Sequence, residues 1–473
     1  MVENLREAAS LVKEAISEEK SILILTHNDA DGLSGGGIVH RAILRENFRA
    51  HTRSLKQIDT DILKKIKKED NFDVIIFVDM GSGTFTEISE FFEGKMVIIL
   101  DHHQPKEGKE TDWVIHVNPH FYGIDGSREI SGSGVAYLFV RELDKRNADL
   151  ADLAIVGAVG DMQDATGELI GINKLIQKEG ERLGILRVEK DLRLYGRQTR
   201  PLFKAIEYTT EPFIPGLSGS ESASLQFLND LDIPIKKDDE FTRLADLTEE
   251  ERRRLTTALI LRMIEHKVPP KVAESIVGDV FTLLREDEKT PLRDAREYAT
   301  LLNGCGKHEK SGIGIAVVLG DRKEMYNNAL HMLKEHKSYI CSCYRWISNN
   351  LDRIRDEGEF YTFHAKDEIN ENVLGTVVSM VLNSRALEPL KPIIAFAFDK
   401  DGKVKVSARA TRELVDKGIN LGKVMLVASQ KVKGEGGGHN IAAGASIEKG
   451  TEENFIFYAK KELKKQLENE SNT

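Results

Sequence analysis

The chain has 473 residues, of which 40% are hydrophobic and 30% charged, and its formal net charge is −10 at pH 7. This length exceeds one ordinary core and predicts two or three domains, and the composition excludes a disordered chain. The acidic balance excludes indiscriminate nucleic-acid binding over the whole surface, although it permits a local basic groove.

The N-terminal segment and the cysteines indicate the compartment. No apolar run approaches the roughly 18–20 residues of a membrane span, and residues 1–20 predict an amphipathic acidic helix instead of a signal peptide. Cys305, Cys341 and Cys343 lack a disulfide framework spacing, which favours a reducing compartment. Cys341 and Cys343 could bind a metal, but without a second pair nearby they are predicted to be helix-core thiols. We expect a cytoplasmic protein with no membrane partner.

Four segments in the first 165 residues share one pattern, in which a short apolar run ends in acidic or histidine residues. They are residues 21–29, 72–83, 95–103 and 151–164. Ile- and Val-rich runs that alternate with helices indicate a parallel sheet buried on both faces. In such sheets ligands bind beyond the carboxyl ends of the strands. The Ala-rich fourth run suits a helix as well as a strand, but Asp161 lies at its carboxyl end in either case.

The remainder of the chain predicts a helical insert and a second domain. A Pro/Gly/Ser-rich loop at 196–222 precedes helix-period segments at 250–266 and 269–284, and a long connector helix follows at about 322–356. Farther on, an Asp401-Gly402 pair between apolar runs is typical of a β-hairpin. We therefore predict three parts: a catalytic domain at 1–190, a mostly helical insert and connector helix at 191–355, and a smaller α/β domain at 356–473.

Five carboxylates and three imidazoles follow the four apolar runs, and we expect them at one edge of the sheet. They are His27, Asp29, Asp31, Asp79, Asp101, His102, His103 and Asp161. A single such Asp is usually a helix cap or turn residue, but the recurrence of the pattern favours metal binding, because uncompensated carboxylates would repel one another. Mixed carboxylate and imidazole ligands suit Mn²⁺, with Mg²⁺, Co²⁺, Zn²⁺ or Fe²⁺ also compatible. Two such ions form the clamp used in phosphoryl hydrolysis.

In the first of these segments, the candidate ligands occupy alternate positions along the chain. If the chain stays extended after the first strand, then His27, Asp29 and Asp31 share one side, and Asn28 and Ala30 point away. Gly32 would then free the turn into the next helix.

A glycine-rich segment near the C-terminus predicts a phosphate-binding loop, because glycine lets backbone N–H groups approach an anion closely. A tight structural turn is the alternative. The predicted phosphate-binding residues are Ser407, Arg409, Gly436, Gly437, Gly438, His439 and Asn440. Arg197 and Arg200 are weaker candidates.

Five motifs carry a resemblance to a known family. "HNDADG", "VDMGSG", "DHHQP" and "VGDMQD", in this order, resemble the motifs of the DHH phosphoesterase superfamily, and "GEGGGHNIAAGA" resembles the signature of its DHHA1 domain. The resemblance implies an α/β fold, with an N-terminal parallel-sheet DHH domain and a smaller C-terminal α/β DHHA1 domain. It also implies two metal ions and assigns their ligands as follows: His27 and Asp29 to the first ion, Asp31, His102 and Asp161 to the second, with Asp79 as the bridge.

The same resemblance implies roles for the two remaining residues of the third motif. His103 would face the phosphate as a substrate binder or as a proton donor to the leaving oxygen. Asp101 would orient a neighbouring imidazole from behind, as metal-bound histidines generally require, or would ligate a metal directly.

Size and layout resemble the archaeal RecJ-like nucleases. This implies exonuclease action on single-stranded nucleic acid in replication and repair, with DNA digested 5′→3′ favoured and RNA as the alternative, and it implies the GINS complex as a partner. An oligoribonuclease or small-nucleotide phosphodiesterase remains an alternative, as does a replication scaffold with little catalysis. Phe360, Tyr361 and Phe363 could stack on bases, but we predict that they belong to the core.

Overall fold

The computed structural model describes residues 1–473 except 70, 107–110, 210–211, 384–386, 388–389, 401 and 471–473. The chain forms two compact units, Met1–Leu333 and Lys334–Thr473. Each unit is a mixed α/β structure with its own sheet. Among the helices described, none combines the length and the apolar character needed to cross a bilayer.

A parallel five-stranded sheet with the order β2-β1-β3-β4-β5 forms the centre of the first unit, as predicted. Its strands are β1 (Ile22–His27), β2 (Ala50–Leu55), β3 (Val74–Val78), β4 (Met96–Leu100) and β5 (Val114–Val117). The apolar strands β1, β3 and β4 are buried in the middle. The sequence pattern did not reveal β2 and β5, because edge strands are half-exposed and alternate less clearly.

Helices cover both faces of this sheet. They are α1 (Val2–Ser17), α2 (Ala30–Arg45), α3 (Thr60–Glu69), α4 (Phe85–Phe91), α5 (Gly132–Leu143), α6 (Ala151–Gly160) and α7 (Gly171–Arg182). The fourth apolar run forms the helix α6, which is buried from Ala151 to Val159 and packs against α2 and α5. A helix buried on every side has no polar face, so its sequence lacks the helical period and also resembles a strand.

The insert is mostly helical. Its part from Leu192 to Ile276 has a core of its own, whereas its last two helices pack into the core of the first sheet. Its helices are α8 (Leu202–Glu207), α9 (Glu221–Asp230), α10 (Glu249–Glu265), α11 (Pro270–Glu274), α12 (Ala295–Lys307) and α13 (Ser311–Leu319). The strands β6 (Leu186–Leu192) and β9 (Val277–Leu283) pair in an antiparallel manner, as do the short strands β7 (Lys236–Lys237) and β8 (Glu240–Phe241). The prediction of a helix at 269–284 is therefore wrong beyond Glu274. The second half of that segment, which contains Val and Phe, forms a strand because it pairs with β6.

The long helix α14 (Glu324–Ser348) forms within the predicted connector and contains the boundary between the units. Cys343 is buried in it and Cys341 half-buried. A mixed sheet with the order β10-β11-β12-β13-β15-β14 follows in the second unit. Its strands are β10 (Arg355–Asp356), β11 (Tyr361–Lys366), β12 (Ile393–Phe398), β13 (Val404–Arg409), β14 (Glu435–Gly438) and β15 (Ala442–Ile447), and its helices are α15 (Glu371–Asn383), α16 (Arg412–Asp416), α17 (Leu421–Lys431) and α18 (Glu452–Glu470).

The predicted hairpin joins β12 to β13 in antiparallel register. Of its predicted turn, Asp401 lies outside the described residues. Phe360, Tyr361 and Phe363 are buried in the core of the second unit, as predicted.

Candidate metal centre

The first motif lies where β1 ends and α2 begins. His27 is the last residue of β1, whereas Asp29 is the N-cap of α2 and accepts a hydrogen bond from the Gly32 N–H at 3.0 Å. Asp31 belongs to the first turn of the helix. The prediction of an extended chain through Asp31 is therefore wrong, because α2 already begins at Ala30. Gly32 is needed inside the helix, since a Cβ there would collide with the His27 carbonyl.

The second motif places a carboxylate directly after β3. Asp79 adopts a left-handed backbone with φ of 60° and donates its N–H to the Leu100 carbonyl at 2.8 Å. Asp tolerates this conformation better than most residues, but it remains strained, as is common at functional sites. The carboxylate lies against Gly132 at the start of α5, where a Cβ would be 2.5 Å from its Oδ1.

His27, Asp29 and Asp79 form one group of converging ligand atoms. The His27 Nδ1 is 2.8 Å from the Asp29 Oδ2 and 3.7 Å from the Asp79 Oδ2. Each of the three side chains offers an atom within 4.8 Å of the other two, so that one cation could contact all of them.

Asp31, His102 and Asp161 form a second group beside the first. The His102 Nε2 is 3.7 Å from the Asp31 Oδ2, 3.9 Å from the Asp161 Oδ2 and 3.1 Å from the Asp79 Oδ1. Asp79 thus presents one oxygen to each group. We call the eight residues predicted from the four motifs the metal rim; the structure brings all of them to this edge of the sheet.

The chemistry of the donor atoms fits divalent cations. The His102 Nδ1 lies 2.7 Å from the Gly126 carbonyl oxygen, so it carries the proton and leaves the Nε2 lone pair facing carboxylates. Both carboxylate oxygens of Asp79 are buried and accept no hydrogen bond within the described chain. Lone pairs directed at one another in a buried site need a cation between them.

Backbone and glycine contacts hold the rim in place. Asp31 accepts hydrogen bonds from the N–H groups of Gly132 at 2.7 Å and of Ser133 at 3.0 Å, so that the N-terminus of α5 supports its negative charge. Gly157 of α6 packs against the same carboxylate, where a side chain would collide with it. The rigid helices α5 and α6 therefore fix the position of Asp31.

The crowding of like charges is visible in the pKa shifts. Burial, followed by the charges of Asp31 and Asp29, raises the pKa of Asp79 well above its usual range. Burial and the charge of Asp31 raise the pKa of Asp161 to about 6. A bound cation would remove this penalty, because it favours the ionised carboxylates.

Asp101 and His103 form a hydrogen-bonded pair at the rim. The buried Asp101 Oδ1 lies 2.8 Å from the His103 Nδ1, and its Oδ2 accepts the Ser82 N–H at 2.8 Å. Burial opposes ionisation of Asp101, but the hydrogen bond and charge of His103 outweigh it and hold the pKa of Asp101 well below its usual range. The hydrogen bond to Asp101 in turn raises the pKa of His103 to about 9.

Sequence reasoning missed Asn118 and Ser82, which support this pair. The buried Asn118 Nδ2 donates to the His103 carbonyl and to the Ser82 Oγ, each at 2.8 Å. Asn118 directly follows β5, so the rule about carboxyl ends of parallel strands would have identified it if that short edge strand had been recognised.

The residues predicted to bind phosphate lie on the sheet of the second unit. Ser407 and Arg409 share one face of β13, and the three glycines form the edge strand β14. His439 and Asn440 are exposed in the turn to β15, where the His439 N–H donates to the Ala442 carbonyl at 2.9 Å. The glycines are therefore paired in a strand next to a turn and do not form a loop.

Arg409 is a half-buried cation without an acidic partner in the part of the chain that the structure describes. Its Nη1 donates to the carbonyls of Ala408 at 2.8 Å and Ala443 at 3.5 Å, and burial lowers its pKa. Gly375 of α15 packs against its Nη2, so that a side chain there would displace the guanidinium.

The two weaker arginine candidates differ in environment. Arg197 is buried and paired with Asp191, which is a structural role. Arg200 lies 4.6 Å from the ring centres of both Tyr195 and Tyr208.

Three family models match the chain. Residues 21–158 match the DHH family, N-terminal domain, residues 194–277 the DHH-CID domain, and residues 358–468 the DHHA1 domain. An uncharacterised protein of Methanocaldococcus jannaschii is 33% identical over 466 residues, which cover 96% of this chain and 97% of that protein.

The chain is also similar to the single-stranded-DNA-specific exonuclease RecJ. The protein from Thermus thermophilus is 30% identical over 191 residues, which are 38% of this chain and 27% of that protein. The protein from Bacillus subtilis is 28% identical over 211 residues, or 41% of this chain and 24% of that protein. The chain thus matches about a quarter of the length of these exonucleases.

Solved structures extend the similarity of fold to nearly the whole chain. Exonuclease RecJ bound to manganese superposes with a TM-score of 0.59 at 18% identity, covering 97% of this chain and 94% of that one. CDC45 from Entamoeba histolytica gives a TM-score of 0.65 at 14% identity, covering 97% and 99%. With the family matches and the intact motifs, these similarities confirm the predicted resemblance: the chain belongs to the DHH family, as a RecJ-like protein with a DHHA1 domain.

Proposed function

We propose that the protein is a metal-dependent exonuclease that hydrolyses phosphodiester bonds of single-stranded nucleic acid, with DNA digested 5′→3′ favoured. The observation that carries the proposal is Asp79, whose two buried oxygens accept no hydrogen bond from the described residues and face two separate groups of ligands. That arrangement suits two divalent ions, and Mn²⁺ is our first choice because both carboxylates and imidazoles contribute.

Each group of ligands would hold one ion. His27 and Asp29 would bind the first, Asp79 would bridge, and Asp31, His102 and Asp161 would bind the second. Bound ions would supply charge stabilisation and a deprotonated water. The remaining task of the chain is to orient the substrate and to provide a proton for the leaving oxygen.

His103 is our candidate for that proton transfer. Asp101 holds its Nδ1 and thereby leaves the Nε2 for the substrate, and 55% of its side chain is exposed at the rim. With a pKa raised to about 9, the imidazole is protonated at neutral pH. It can therefore contact a phosphate oxygen as a cation or donate a proton to the leaving oxygen. Asp101 is then a positioning residue.

The second unit would bind the phosphates of the strand. Arg409 lacks an acidic partner in the described chain, so a phosphate would supply the missing counter-charge. Ser407 lies two residues before it on the same face of β13, and the open position at Gly437 leaves the edge strand accessible. His439 and Asn440 would add exposed donors, next to Gly436 and Gly438.

Digestion of labelled strands tests the proposal. Single-stranded DNA and RNA, labelled at the 5′ or the 3′ end, are incubated with the full chain and Mn²⁺, and the first labelled product is identified. We expect mononucleotide release from 5′-labelled DNA and loss of at least about 100-fold in rate for Asp31→Asn. Asp61→Asn is the matched control, because Asp61 is exposed on α3, with a 3.4 Å contact to Lys64.

Three results would contradict the proposal. Undiminished hydrolysis in the presence of a chelator would show that the reaction does not depend on a metal ion. Hydrolysis restricted to dinucleotides would identify a small-nucleotide phosphodiesterase. The absence of any hydrolysis, with strand binding intact, would favour a scaffold.

We also propose association with the GINS complex, on the basis of the resemblance to archaeal RecJ-like nucleases. Size-exclusion chromatography of the purified chain with the purified complex is the test. Elution as separate species at micromolar concentrations would contradict the association.

A further inference from the structure

A cleft of about 250 Å³ lies beside the metal rim in the first unit. It is lined by the carboxyl end of α6, the residues after β6, the end of α8 and one face of α12. Met162 of its lining directly follows Asp161, and Asn303 on α12 accepts the N–H of Ala30, between two rim residues, at 2.8 Å. The cleft therefore adjoins the site of the proposed chemistry.

Two arginines in the lining share one counter-ion. The Nη2 atoms of Arg193 and Arg296 lie 2.6 and 2.5 Å from the same Oδ2 of the buried Asp164. Both guanidinium groups also lie near further buried carboxylates, because Arg193 and Arg296 line a neighbouring cavity together with Asp279 and Asp294. These two arginines are therefore balanced by buried acids, and an unpaired positive charge at the cleft has to come from another residue.

A third arginine packs on two rings of the lining, although it is not itself a lining residue. Arg200 stacks 4.6 Å from the ring centres of Tyr195 and Tyr208, both of which line the cleft. Gly196, with φ of 86°, makes room for it, because a Cβ there would lie 2.5 Å from the Arg200 Cδ. In the described chain no carboxylate pairs with this guanidinium. Stacking fixes its plane but leaves its N–H groups available to an anion.

Apolar and aromatic surface lies next to these charges. Met162 is 51% exposed and Tyr208 38% exposed, although both are residues that normally contribute to cores. Exposed rings beside arginines are the combination on which nucleic-acid bases stack while their phosphates pair with guanidinium groups.

We propose that this cleft binds one nucleotide of the substrate strand, next to the phosphodiester held at the metal rim. Its phosphate pairs with Arg200, and its base packs on the exposed Tyr208 and Met162. The inference rests on the proposed function, because it gives the rim a nucleic-acid substrate. It adds a site that lies entirely within the first unit.

Binding in the absence of hydrolysis tests the cleft separately from the chemistry. The affinity of the full chain for a fluorescent single-stranded oligonucleotide is measured by anisotropy in EDTA, over a series of salt concentrations. Arg200→Gln should raise the Kd about tenfold and reduce the slope of log K against log salt by about 0.7, the value of one phosphate contact on a single strand. Tyr208→Leu should raise the Kd at least about fivefold with the slope unchanged.

Arg187→Gln is the matched control. Arg187 lies on β6, its side chain is 56% exposed, and it pairs with Glu189, away from the cleft lining. Melting temperatures of all variants show whether the fold is intact, and Tyr208→Leu keeps the test valid if Arg200→Gln unfolds.

The outcomes separate the two proposals. If the wild type binds strands and both cleft variants bind equally well, or if the wild type binds no strand, the cleft proposal is overturned. If the variants lose affinity as expected while the wild type fails to hydrolyse any strand in Mn²⁺, the cleft stands and the proposed exonuclease function fails.

Discussion

At the scale of single residues, the Asp101–His103 pair has the clearest electrostatic signature. The 2.8 Å contact places a buried carboxylate against an imidazole that is otherwise open to solvent. The pair acts in both directions, since it lowers the pKa of Asp101 and raises that of His103 to about 9. Because 55% of the His103 side chain is also exposed next to the ligand groups, we assign it a role in proton transfer.

Asp101→Asn should lower the pKa of His103 from about 9 towards the ordinary value of about 6.5, because the anionic partner is lost. The folded-state pKa lies above the unfolded value. The pair therefore stabilises the metal-free protein fully between about pH 4 and about pH 6.5, the ordinary pKa values of Asp and His. This contribution is lost as pH rises through about 9, and also as pH falls below about 4 towards the lowered pKa of Asp101. Histidine NMR titration of the metal-free protein measures the shift. An unchanged titration of His103 in the variant would show that Asp101 does not control the ring.

Gly132→Ala tests the close packing behind Asp79. The new Cβ would lie 2.5 Å from the Asp79 Oδ1, so the carboxylate or α5 must move. We expect a loss of about 1–3 kcal/mol in stability and at least a tenfold loss of hydrolysis. Gly83→Ala is the matched control, because nothing lies within 4 Å of its Cβ. Equal behaviour of the two variants in thermal melts and kinetics would contradict the packing argument.

At the scale of elements, carboxylates gather where β1, β3 and β4 end and in the neighbouring helices. The fold alone does not stabilise their negative charges. Burial and like charges raise the pKa values of Asp79 and Asp161. A carboxyl group whose folded-state pKa is raised makes the fold less stable as pH rises from its unfolded value to its folded value. For Asp161 this window runs from about pH 4 to about 6.

Asp79→Asn should therefore stabilise the metal-free protein at pH 7 by about 1–2 kcal/mol while abolishing hydrolysis, the trade-off expected at a functional site. Denaturant titration in EDTA measures the stability. The wild type should gain stability when Mn²⁺ is added and the variant should gain much less, because a ligand stabilises only the state that binds it. A less stable Asp79→Asn protein in EDTA would contradict the charge argument.

At the scale of the whole molecule, the two units have separate cores. The metal rim belongs entirely to the first unit. In hydrogen exchange, Mn²⁺ should increase protection around β1, β3, β4 and the start of α5, and should leave β12 and β13 unchanged. Equal protection in both units on addition of Mn²⁺ would mean that the second unit also holds an ion.

Much of this organisation was predictable, because a buried parallel sheet requires continuous apolar runs and brings their polar ends together. That rule identified β1, β3, β4 and all eight rim residues. It failed for β2 and β5, whose edge positions weaken the pattern, and for β9, whose Val, Phe and Thr residues favour the strand that the apparent helical period concealed. It also missed the turn at Ala30, since only the three-dimensional packing of Gly32 on His27 reveals that α2 begins there.

Apart from Arg200, which was a weaker phosphate-binding candidate, the arginine cleft could not have been predicted. Its lining residues come from the end of α6, the segments after β6 and α8, and one face of α12. No short motif connects Met162, Arg193, Tyr208 and Arg296. Such a site depends on how distant segments pack, whereas the metal rim depends on where strands end.

Helix α12 connects the cleft to the ion-binding turn. Arg296 and Asn303 are seven residues apart on it, so they lie on one face about 10.5 Å apart. Both line the cleft, and Asn303 also accepts the N–H of Ala30, between Asp29 and Asp31. Under the proposed binding mode, a strand long enough to occupy the cleft would contact the helix that holds this turn. A dinucleotide too short to reach the cleft would not, so this helix would distinguish long strands from dinucleotides.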